Sequence, residues 1–424
     1  MSLDTAHLMV SATLPFGARF AEDNFAGDAL VREFCDLLAS ELKVSPRMFV
    51  SWCCPPSPFI LLSGPTTVLV RSERFDTLLV EYVRLKAEAA QGGQRSIEAK
   101  LRAAIFRWVA EFCLADKLPV TALHAAVAAY HTGARREFSP LRDESLASVD
   151  EVMRAALQCC NLAHEFAHIH QDHIVRDSLS ASIDGMTMLA HIEGALREEG
   201  HSSADISAML QLTEQIDARV LLREVDADLR ALHAVGLFLQ KTFHVTPVQA
   251  VEAATVAIEA QSFLNAARFS CSLLPKVEDD AADDQSAVDD WLNAAQIHVR
   301  AKCVMRRAGI LLAQWSEPDK PVTADKVNRY VPRIDAMFAA SVPFRVALDE
   351  VLHAALSYLK SARLREQPGS EDRFAELLAA AEAHPELMLD LYKMMIAIGY
   401  PAHIRTSTFL SDLYLERCRG GLPC

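Results

Sequence analysis

Apolar positions recur along the chain with two different periods. In the first 75 residues the runs MFVSWCC and TTVLVRS are short and β-prone, and the breakers PPSP and SGP separate them. This pattern predicts a small N-terminal sheet. From about Asp76 onward the period is that of a helix. Between Ser96 and Asp116, for example, Ile97, Leu101, Ala104, Ile105, Trp108 and Phe112 fall on one face. The fold class expected is therefore mainly α (α+β), with a small sheet followed by a large helical region.

Breaks in the helical pattern divide the rest. They fall at HTGARREFSPLRD (131–143), near Gly200, at HVTP (244–247) and at the acidic run VEDDAADDQSAVDD (277–290). The acidic run reads as a charged connector whose last aspartates open the next helix. Three regions result: a mixed α/β region over 1–94, a helical region over 95–276, and a C-terminal helical region over 277–424. At 424 residues, two or three packed units sharing an extensive core are expected. A composition of 51% hydrophobic but only 7% aromatic residues favours helices in that core.

Charge and cysteine usage narrow the setting. A formal charge of −14 leaves no general basic face for displacing counterions from phosphates, so nucleic acid is not an expected partner. No window reaches the roughly 18 apolar residues of a membrane span, and MSLDTAHLMVSATLPFG lacks the basic start and apolar core of a signal peptide. A cytoplasmic location is expected. The 10 cysteines are scattered without a C-x-x-C pair and read as reduced, mostly buried thiols.

The candidate chemistry lies on one predicted helix, SVDEVMRAALQCCNLAHEFAHIHQDHIVRD, which has a capping start and no internal Gly or Pro. His164 and His168 stand one turn apart and can direct imidazole nitrogens toward one ion. Glu165 follows the first of them by about 100° around the axis, placing its carboxylate where it can take a proton from metal-activated water. A second predicted helix, ARVLLREVDADLRALHAVG, carries Glu224 and Asp228 four residues apart on one face. Glu224 can complete a His-His-Glu ligand set, and Asp228 can receive the free N–H of a liganding histidine. One Zn²⁺ per chain is the expected cofactor. His170 and His173 read as rim or locally hydrogen-bonded groups, since three ligands and a water already satisfy zinc. Tyr130, His131, His233 and His298 are candidates for stabilising an oxyanion.

HEFAH followed by E-V-D-A-D resembles the motifs of the gluzincin metallopeptidases. HEFAHIHQDH with the later E-x-D-A-D is most similar to the HtpX-type and Lit-type peptidases, and a soluble, Lit-like arrangement is the closer comparison. The resemblance covers about fifteen positions. It implies that Glu165 is the catalytic base, that His164, His168 and Glu224 hold zinc, and that His173 matches a further histidine five places beyond the second ligand. It also implies a His and Arg element after the third ligand, for which His298 and Arg306 are the nearest counterparts.

The expected activity is hydrolysis of peptide bonds in a protein or peptide substrate, with the N-terminal sheet offering an edge for an extended chain. Two alternatives use other features. Glu165-x-x-His168 and Glu350-x-x-His353 would be paired in a di-iron helical bundle. A helical interaction protein would keep the motif only as a relict.

Overall fold

The computed structural model describes residues 5–14, 20–23, 28–43, 45–51, 59–63, 66–92, 94–115, 119–132, 150–177, 203, 218–273 and 300–364. It is mostly helical with a four-stranded N-terminal sheet, the expected class. The elements of the N-terminal region are α1 (Thr5–Thr13), β1 (Phe20–Glu22), α2 (Ala29–Leu42), β2 (Arg47–Ser51), β3 (Phe59–Ser63) and β4 (Thr66–Ser72). The helices α3 (Glu73–Gly92), α4 (Gln94–Ala115), α5 (Pro119–Thr132), α6 (Glu151–Asp177), α7 (Ala218–Phe243) and α8 (Pro247–Leu273) follow. Beyond them come α9 over residues 300–316, α10 (Ala324–Asn328) and α11 (Val331–Leu364).

The strand order is β1-β2-β4-β3, with β2 and β4 parallel and the outer pairs antiparallel. The two β-prone runs read from the sequence form β2 and β4, the central strands. Val68, Leu69 and Val70 are buried on β4, as a strand paired on both sides and covered by helices requires. The outer strands β1 and β3 go beyond the sequence reading. Their short runs carry too little alternation to stand out.

A single apolar cluster runs from Ala6 on α1 to Leu359 on α11 and draws side chains from all three predicted regions. The stripe from Ile97 to Phe112 is buried within it. Buried charged groups of α3 and α4 stand in pairs: Arg74 with Glu111, and Arg107 with Glu81, which also accepts from Trp108 Nε1 at 2.7 Å. Each removes a charge that would otherwise be stranded away from water. These contacts lock α3 to α4.

Three features position the two helices that matter for chemistry. Asp150 caps α6, accepting from the Met153 amide at 2.9 Å. His244, with φ 52°, ends α7, and Thr246 and Gln249 form a reciprocal cap that starts α8. Finally, α7 lies along α6, while α6 also rests on α2, α3, α8 and the β3 and β4 strands. No helix among the described residues is long and apolar enough to cross a membrane. The breaks near Gly200 and over 277–290 lie outside the described residues.

Candidate metal centre

The middle of α6 is buried by its sequence. Leu162, Ala163, Phe166, Ala167 and Ile169 are all enclosed, which turns His164 and Glu165 inward as well, at 3% and 8% exposure. Across from them α7 presents Glu224 and Asp228, one helical turn apart. Asp228 is buried, whereas the Glu224 side chain keeps 29% exposure. The group is enclosed on the Asp228 side and open to solvent on the Glu224 side.

Three donors converge there. His164 Nε2 lies 3.1 Å from His168 Nε2 and 3.3 Å from Glu224 Oε2, and His168 Nε2 lies 3.2 Å from Glu224 Oε1. His164 Nδ1 meets Asp228 Oδ1 at 3.0 Å. When Nδ1–H donates to Asp228, the Nε2 of a neutral His164 presents its lone pair toward His168 Nε2 and the Glu224 carboxylate. With both rings deprotonated at Nε2, a proton or a metal ion between the donors relieves the repulsion. Bonds of about 2.0 to 2.1 Å to a tetrahedral ion would set donor atoms about 3.3 Å apart, close to the three separations observed. His164, His168 and Glu224 therefore form a group that can hold a metal ion, the one such group among the described residues.

Electrostatics agree with the geometry. Burial opposes an imidazolium at His164, yet hydrogen bonds to Asp228 and Glu224 outweigh it and raise the ring to about 10. A proton at His164 thus answers the same demand for positive charge that a metal ion would. Burial also opposes ionisation of Glu224, but the two histidines and Arg300 hold its carboxyl far below the usual range. Glu165 moves the other way. Burial pushes it up to about 7, against the pull of His164 and His168.

Arg300, on α9, completes the arrangement and was not singled out by the sequence. Its Nε and Nη2 donate to Asp228 at 2.7 and 2.9 Å, and its Nη1 lies 3.1 Å from Glu224 Oε2. This fork neutralises Asp228, which can then receive the His164 N–H without leaving a buried charge unpaired. No local pattern marks Arg300. It meets Asp228 from 72 positions away in the chain.

The remaining candidates are distributed as follows. Arg306 is exposed on α9, about 1.7 turns beyond Arg300. His170 is half-buried. His233 packs edge-on against Trp315 and lies 3.4 Å from Arg307, which together with burial lowers its pKa. His298, and the side chains of Tyr130, His131 and His173, lie outside the described residues. Glu350 and His353 line two separate cavities.

No protein-family model, curated protein or solved structure matches this chain. Its function is read from the site.

Proposed function

We propose that the chain is a zinc-dependent metallopeptidase of gluzincin type, acting on a protein or peptide substrate. The observation that carries this reading is the convergence of His164, His168 and Glu224 at tetrahedral spacing, with Asp228 on the far nitrogen of His164. The donor set is two imidazoles and one carboxylate, the combination found in hydrolytic zinc sites that keep a fourth position open.

Zinc, when bound, supplies a water of pKa near ~7 and a Lewis acid for the substrate carbonyl. The chain's residues divide the remaining work. Asp228 holds His164 in the tautomer that presents Nε2, and Arg300 fixes Asp228. Glu165 follows His164 on α6, and burial raises it to about 7, which suits a carboxylate that accepts a proton and returns it to a leaving amine. The partly open Glu224 side provides a route for substrate. Among the described strands β3 is an outer strand in contact with α6, and its outer edge is where an extended peptide would add as a further strand.

The test is hydrolysis of a fluorogenic peptide library by the zinc-loaded full chain and by Glu165→Gln. The variant is expected to keep its metal and lose at least ~100-fold in kcat/KM. Equal turnover by the variant, or no peptide cleavage by the parent chain, would refute the proposal.

A further inference from the structure

Helices α8, α9 and α11 line a cavity of ≈ 360 Å³ that Arg300 borders. Its walls are apolar: Ile258 and Phe263 from α8, Val304 from α9, and Phe338, Leu352 and Leu356 from α11. Arg345, Asp349 and His353 line it at four-residue intervals, so they form one polar stripe along α11. Asp349 and His353 are exposed and mark the mouth, while Thr255 and Val304 are buried at the floor.

Some polar groups of this cavity have no partner among the described residues. Among the described residues, Arg345 and Asp349 form no hydrogen bond or ion pair, although each feels the other's charge. Water can serve them at the mouth. It does not serve Thr255, whose hydroxyl is 3% exposed at the residue level and has no hydrogen-bond partner. A buried hydroxyl left unpaired is costly, so a ligand that satisfies it gains accordingly. By contrast, Glu259 on the same wall is already held by Tyr82 and Lys86.

With Glu259 and Arg300 already engaged, one cation and one anion a helical turn apart in a largely apolar cavity select a ligand class. A phosphorylated ligand would call for several converging donors, and an acyl chain alone would leave the charged pair unanswered. A metal ion would need a group of ligands, and the described residues hold such a group only at His164, His168 and Glu224. We propose that this cavity binds a small apolar zwitterion, an α-amino acid or dipeptide with apolar side chains, its carboxylate on Arg345 and its ammonium on Asp349. The volume suits such a molecule, at the small end of ligand pockets. The proposal does not rest on the metal reading: of the residues around the donors Arg300 alone lines the cavity, and its guanidinium is engaged by Asp228 and Glu224.

Calorimetric titration of the full chain with L-leucine and L-leucyl-L-leucine tests this. Saturable binding is expected for at least one of them. N-acetyl-leucine and leucinamide, each lacking one charge, should bind about tenfold more weakly or worse, as should leucine or its dipeptide to Arg345→Gln and Asp349→Asn. Binding to His168→Ala should be unchanged, which keeps the result separate from the metal reading. The proposal is overturned if neither zwitterion binds, if the blocked analogues bind equally well, if binding is undiminished in Arg345→Gln and Asp349→Asn, or if it is lost in His168→Ala.

Discussion

Arg300 grips both carboxylate oxygens of Asp228 through Nε and Nη2, at 2.7 and 2.9 Å, and Asp228 in turn meets His164 Nδ1 at 3.0 Å. A residue of α9 thereby fixes the orientation of a metal-binding ring on α6, through a carboxylate on α7. Removing the guanidinium should leave Asp228 buried with its negative charge unmatched and His164 less firmly oriented.

Arg300→Gln is accordingly expected to weaken zinc binding by about 10- to 100-fold, the usual effect of disturbing the groups behind a metal ligand. Competition against a chromogenic chelator measures it. Arg300→Lys should recover little, because a single ammonium cannot reproduce the fork. Full affinity in the Gln variant would remove Arg300 from the account.

Glu165 gives a prediction about pH. Its folded pKa is raised, from 4.5 to about 7, so its contribution to the stability of the metal-free chain is fully present below pH 4.5 and is lost as pH rises through 7. The loss is on the order of 3 kcal/mol. Glu165→Gln should therefore make the metal-free chain more stable than the parent at pH 8 and nearly match it at pH 4. Urea denaturation at the two pH values checks the sign, and a variant less stable at pH 8 would contradict it.

How much of this was legible in the sequence depends on how local each feature is. The α6 helix announces itself through Asp150 and an unbroken apolar stripe, and α7 through the spacing of Glu224 and Asp228, so four of the five residues around the donors stand in local patterns. Arg300 does not. It sits in a segment with Arg306 and Arg307, and only packing decides that it is Arg300 that meets Asp228. The sheet divides in the same way. Central strands β2 and β4 are apolar enough to be read, whereas β1, with three residues, takes its structure from pairing with β2.

Gly236 on α7 tests the packing of α9. A methyl group at its Cα would meet the Trp315 ring at 2.7 and 2.9 Å, and so the two helices approach here as closely as they do because Gly236 has no side chain. Gly236→Ala should destabilise the chain by about 1 to 3 kcal/mol through overpacking, less the ~1 kcal/mol gained in helix propensity. Gly236→Val should cost more, and thermal denaturation of both variants reads the order.

The central claim is that His164, His168 and Glu224 together hold one zinc ion. Metal content of the full chain, equilibrated with zinc and freed of excess, measures it directly when compared with His164→Ala, His168→Ala and Glu224→Ala. The account predicts about one zinc per parent chain and a large loss in each variant that leaves the helical content intact. Two irons per chain, no stoichiometric metal, or undiminished zinc in the three variants would contradict it.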